Sequence, residues 1–171
     1  MKKILFALFL LGLHLPSFAE KTEDMYIMRL TTQGHLFFIS ENIFPSTDRT
    51  LSLPFDITYL NTTDSVSIKM SVYSHTLTNI DSVAWVLPDQ SYVCPVVHSI
   101  YKEKEKKLWV HRSDCAFSYQ ATKQCMTHSS APQIVVYTAA GAHTYVFPQK
   151  QWQKLLPHFQ EIFMLIDASK L

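Results

Sequence analysis

Between residues 65 and 73 the chain alternates without a break: Val66, Ile68, Met70 and Val72 are apolar, and Ser65, Ser67, Lys69, Ser71 and Tyr73 carry polar groups. A period of two belongs to a strand with one buried face and one wet face. Phe55, Ile57 and Tyr59 alternate in the same way with Asp56, Thr58 and Leu60. Asn61, Thr62, Thr63 and Asp64 separate the two runs, a turn composition whose side chains bond nearby backbone. Residues 53–73 are therefore predicted to form a β-hairpin with Phe55, Ile57, Val66, Ile68 and Met70 on its core face. Asn61-Thr62-Thr63 also matches a glycosylation sequon, for which a turn is the simpler explanation.

Other segments read as partners for this hairpin. Residues 25–31 put Tyr26, Met28 and Leu30 on one strand face, and after a Thr32-Gln33-Gly34 turn residues 35–40 are nearly all apolar. Pro45, Ser46, Thr47 and Asp48 mark residues 42–50 as a loop. Val83, Trp85 and Leu87 alternate in a short strand over 81–87. Residues 92–101 form another, with Pro95 arguing for an edge or a bulge. The Lys-Glu-Lys-Glu-Lys-Lys run at 102–107 reads as a charged hairpin tip before a strand at 108–110, and such charge deters sheet-to-sheet pairing. Residues 113–131 are predicted to be an excursion loop with one short strand at 116–119. Residues 134–138 and 143–147 are expected to pair through Ala139-Ala140-Gly141.

The C-terminal end changes period. Trp152, Leu155, Leu156, Phe159, Ile162, Phe163 and Ile166 fall within an arc of about 120° at helical spacing, which predicts an amphipathic helix over 149–168. Pro148 suits its first turn. Pro157 lies on the wet side and the apolar phase runs on past it, so a kinked helix bending around the core is expected. The fold class that follows is α+β, mostly β: an antiparallel sheet or sandwich closed by one C-terminal helix.

Composition narrows the function classes. Met1-Lys2-Lys3, the apolar run at 4–13 and Ser17-Phe18-Ala19 have the form of a bacterial-type secretory signal peptide over residues 1–19, leaving a single domain over 20–171. The expected location is periplasmic or secreted. Without the two signal lysines, 13 basic residues face 14 acids, so there is no electrostatic footprint for nucleic acid. No later apolar run is long enough to span a bilayer, so no integral membrane span is expected after signal removal. Outside the signal only Gly34 and Gly141 remain, too few for phosphate-cradling loops. No cofactor is expected.

Three cysteines bound for an oxidising compartment allow one bridge and one thiol. Cys115 and Cys125, ten positions apart around the irregular segment, are the favoured pair, with Cys94 then a buried thiol; the alternatives are pairing of Cys94 with either of the others, or no bridge. Cys94, His98, His111, Cys115, Cys125 and His128 also form a sulfur and imidazole constellation within 35 residues, chemistry that suits zinc or copper. Its spacings are not those of paired ligands across a tight turn, and four residues along a strand span about 13 Å. Surface histidines with a disulfide are the simpler reading. No catalytic motif of the G-x-S-x-G, H-E-x-x-H or S-x-x-K kind occurs, and no catalytic residue is assigned. The expected function is an exported, non-catalytic domain that binds another protein or an envelope component; the alternative is a periplasmic or secreted enzyme, with or without a metal.

Overall fold

The computed structural model describes residues 22–47 and 50–170. The segment over residues 1–19 expected to be a signal peptide, and its expected cleavage site, lie outside the described residues. After a 3-10 turn at Thr22–Asp24 the strands are β1 (Tyr26–Thr31), β2 (Gly34–Pro45), β3 (Ser52–Leu60), β4 (Ser65–Ser74), β5 (Ile80–Val86), β6 (Ser91–Cys94), β7 (Val97–Glu105) and β8 (Leu108–Ser118). Helix α1 (Tyr119–Thr127), strands β9 (Gln133–Thr138) and β10 (Gly141–Val146), and helix α2 (Gln149–Ala168) complete the chain. The strands form two antiparallel sheets, one of six in the order β1-β2-β3-β4-β8-β7 and one of four in the order β10-β9-β5-β6.

The alternating pattern sets which face goes in. Val66, Ile68, Met70 and Val72 of β4 are buried and sit opposite Phe117, Cys115, Ser113 and His111 of β8. Phe55, Ile57 and Tyr59 line the same face of β3. The other face is wet and its charges are matched across strands: Arg112 pairs with Asp56 and donates to Ser71 Oγ, and Ser67 Oγ donates to Asp114 at 2.5 Å. Trp85 of β5 joins the two sheets, meeting Phe44, Phe55 and Phe117 edge-on with ring centroids 5.8–6.4 Å apart. Phe147 carries this aromatic chain on to Trp152 and Phe159 of α2.

Helix α2 covers the remainder of the inner face. Trp152, Phe159, Ile162, Phe163 and Ile166 are buried and belong to one continuous core with both sheets. The helix runs through Pro157, which is exposed, as the unbroken apolar phase predicts. At its C-terminal end Tyr119 of α1 stacks on Tyr59 at 4.7 Å and contacts Phe163 at 5.9 Å, wedging the short helix between sheet and long helix.

Four stretches differ from the sequence expectations. Residues 42–45 continue β2 rather than forming a loop; the register shifts by a bulge between Ile39 and Asn42, and Asn42 to Pro45 then pair with Phe55 to Ser52. Residues 92–101 are two strands in different sheets, because Cys94-Pro95-Val96 carries the chain from β6 to β7 and Pro95 cannot donate to a ladder. Residues 113–131 are no excursion loop. β8 runs through Ser118, whose hydroxyl accepts from Ala121 N at 3.2 Å and starts α1, with Tyr119, Ala121, Thr122, Cys125 and Met126 buried. The charged run is also mostly strand: only Lys106-Lys107 form the turn, with Lys106 at φ 55°.

Candidate functional site

The constellation of Cys94, His98, His111, Cys115, Cys125 and His128 does not converge. Cys115 and His111 lie on the inner face of β8, whereas His98 of β7 is paired with Asp114 on the opposite face. Cys125 is buried in α1. His128 caps that helix, its Nδ1 accepting from Ser130 N at 3.0 Å while its carbonyl accepts from Trp152 Nε1 at 2.9 Å. Among the described residues no three or more His, Cys, Asp or Glu side chains are grouped to hold a metal ion. The bridge expected between Cys115 and Cys125 is not formed; all three cysteines are buried thiols, none at bonding distance from another. Strand β8 and helix α1 hold these two residues in different parts of the core. Cys94, at the end of β6, is the cysteine on the side of Cys115, since β6 touches β8.

The inner face of β8 nevertheless has an unusual polar stripe. His111 Nε2 faces Ser99 Oγ at 3.1 Å, while His111 Nδ1, Ser113 Oγ and Trp85 Nε1 are buried with no hydrogen-bond partner among the described residues. Burial, helped by the positive charge of Lys102 and opposed by the Thr78 backbone, pushes the imidazole below its ordinary range and favours its neutral form.

A second polar cluster joins the helices. Asp167 accepts from Tyr119 Oη at 2.7 Å and pairs with Lys123, and Lys170 lies over the Tyr119 ring, 3.2 Å from its centroid. Burial alone raises the Asp167 carboxyl, but the bonds from Lys123 and Tyr119 and the charges of Lys123 and Lys170 outweigh it and hold the group below the usual carboxylate range. Burial, then the Asp64 and Asp167 charges, push the Tyr59 hydroxyl up to about 12. A shallow groove of about 380 Å³ beside this cluster is lined by Lys123, Thr127, Gln160, Phe163, Met164 and Asp167. Its two charges are paired with each other, so the cluster locks α1 to α2 and offers a ligand little.

Exposed apolar side chains gather at two places along the sheet edges: Ile27, Met28 and Leu30 on β1, and Val93, Val96, Ile100 and Tyr101 where β6 passes into β7. The four sheet edges are β1, β7, β10 and β6. β7 carries alternating Lys102, Glu103, Lys104 and Glu105, and β6 is four residues long. The β10 edge is covered by the end of β2: Ser46 bridges to Tyr145, and Thr47 N and Oγ1 donate to Thr144 O at 3.0 and 2.9 Å. Short length, charge and cover are the ordinary protections of an edge. β1 is six residues long, and among the described residues no strand pairs with its outer side. Ile27, Met28 and Leu30 are 54%, 52% and 78% exposed, and Arg29 is the one charge in the strand.

The backbone of β1 can be assigned from its register. Ser40 N donates to Met25 O at 2.8 Å, and Tyr26 is opposite Ile39. Bonded pairs alternate in an antiparallel ladder, so Ile27, Arg29 and Thr31 turn their N–H and C=O groups toward β2, and Tyr26, Met28 and Leu30 turn theirs outward. Alternation in the sequence shows a strand here but not that it is an edge; that depends on which strands pair. Comparison with known proteins finds no protein family, no curated protein and no solved structure that matches this chain.

Proposed function

We propose that the protein is an exported, non-catalytic binding domain that recruits an extended segment of another envelope protein along β1. The observation that carries this reading is an edge strand with outward backbone groups at Tyr26, Met28 and Leu30 and exposed apolar side chains on both of its faces. An added antiparallel strand satisfies those backbone groups, and alternate side-chain contacts supply selectivity. The chemistry of the edge fits a segment with apolar residues at alternate positions and an acidic residue opposite Arg29. A conventional apolar pocket with converging polar groups would favour a small ligand, and the groove beside Lys123 and Asp167 lacks that combination.

The test is site-specific photocrosslinking from Leu30 in the native envelope, with Met28→Pro as the control. Proline at Met28 removes an outward N–H and leaves the bonds to β2 in place, the one strand setting that tolerates it. The expected result is one crosslinked partner that disappears in Met28→Pro and in Arg29→Glu, with the melting temperature of both variants close to that of the parent. A crosslink that survives Met28→Pro unchanged, or none at all, contradicts strand recruitment.

A further inference from the structure

Cys94 closes β6 in the four-stranded sheet, where it is opposite Val83 of β5. Three residues on, Val97 opens β7 in the six-stranded sheet, directly opposite Cys115 of β8. The crossing at Pro95 therefore brings Cys94 to the seam where the two sheets meet, and β6 touches β8 there. Cys94 and Cys115 are 5% and 1% exposed, and Cys94 adds to burial in pushing the Cys115 thiol up. Each also points at a carbonyl, Cys94 Sγ at Val96 O (3.1 Å) and Cys115 Sγ at Ile68 O (3.6 Å). Cys125 is buried in α1, and burial pushes its thiol up.

We propose that Cys94 and Cys115 are a redox pair that closes to an inter-sheet disulfide when the chain folds in an oxidising compartment, with Cys125 remaining a thiol. The oxidant is a disulfide compound, either an oxidised dithiol protein or oxidised glutathione. The thiolate of one cysteine attacks a sulfur of that disulfide, forming a mixed disulfide and releasing the first oxidant thiol. The second cysteine, deprotonated, displaces the remaining oxidant sulfur. The protein loses two protons and two electrons, one S–S bond forms, and the oxidant is reduced to two thiols. Burial orders these events. In the folded, reduced protein neither sulfur is open to attack, and burial disfavours the Cys115 thiolate. The bond therefore forms before the sheets close on each other. Once formed, it ties the short edge strand β6 to the central strand β8 and limits the unfolded chain across the 94–115 loop.

The experiment uses the domain over residues 20–171, unfolded under reducing conditions and refolded in a glutathione redox buffer, beside the same protein folded fully reduced. The expected product is about 2 Da lighter than the reduced protein. Peptide mapping without reductant is expected to recover Cys94 linked to Cys115 and Cys125 as a thiol. The oxidised form is expected to melt several degrees higher, and Cys125→Ser to keep both the linkage and the shift. Oxidant added to the folded, reduced protein is expected to leave the pair open. The proposal is overturned if refolding leaves both thiols free, if Cys125 appears in the linked peptide, or if the linked protein melts no higher than the reduced one. None of these readouts depends on β1 or on a partner.

Discussion

At the scale of single residues, backbone geometry and buried charge decide most. Gly34 has φ +133°, a region that side chains rarely adopt, and a Cβ there would run into Asn61 Oδ1 and come within 2.9 Å of Thr62 Cγ2. Asn61 cannot easily give way. Its Oδ1 accepts from His35 N at 2.9 Å and its Nδ2 donates to Ser169 O at 2.7 Å, tying the β3–β4 turn to the start of β2 and the end of α2. Gly141 has a similar φ of +130° with open space around it. Gly34→Ala should therefore lower the urea midpoint clearly more than Gly141→Ala, the backbone strain common to both being on the order of 1–3 kcal/mol; equal midpoints would mean that the Asn61 contact is irrelevant. His111 makes a prediction in pH. Its imidazole titrates below its ordinary value in the folded state, so as pH falls through the unfolded value of about 6.5 the unfolded chain takes up a proton that the folded one does not. Stability contributed by neutral His111 is present above that pH and is progressively lost below it, down to the folded-state value. Urea midpoints between about pH 7.5 and 5 should fall more steeply for the parent than for His111→Gln; parallel curves would count against it.

Among the elements, α2 carries the clearest expectation. Burying Trp152 and Phe159 closes the inner face that the 53–73 hairpin begins. Truncating a buried Phe or Trp to Ala typically costs about 3–5 kcal/mol, a large part of the roughly 5–15 kcal/mol that holds a domain folded. Trp152→Ala or Phe159→Ala should lower the urea midpoint sharply while Gln153→Ala, on the exposed side, leaves it nearly unchanged. Deletion of residues 149–171 should give an aggregating or unfolded chain; a soluble product with an unchanged midpoint would remove α2 from the core. These elements were legible in the sequence because their periods are strict: two for β3 and β4, 3.6 for α2. α1 was not, although its signals are present. Ser118 is a good cap, and Tyr119, Thr122, Cys125 and Met126 recur at helical spacing, but Thr, Gln and Lys dilute the apolar stripe in a nine-residue element. The 42–45 segment was hidden by Pro45 and the polar residues that follow it; Asn42 to Pro45 are strand because they pair with Phe55 to Ser52 of β3.

For the whole molecule, what matters is where the pairing stops. Six strands and four strands share one core with α2, and among the described residues β1 is the edge with a single charge and no strand or turn paired along its outer side. Period alone reveals neither a strand order nor an edge, which is why the candidate site could not be located from the sequence while the fold class could. The same long-range pairing separates Cys115 from Cys125 and brings Cys94 to Cys115, an arrangement that spacing along the chain does not encode. The binding proposal is tested most directly by residue-resolved amide hydrogen exchange of β1, free and bound to the crosslinked partner. In the free protein the amides of Ile27, Arg29 and Thr31 should be protected by β2, and those of Tyr26, Met28 and Leu30 should exchange fast. In the complex Tyr26, Met28 and Leu30 should become protected as well. If those three amides exchange equally fast with the partner bound, no strand has been added to β1 and the proposed mode of binding is wrong.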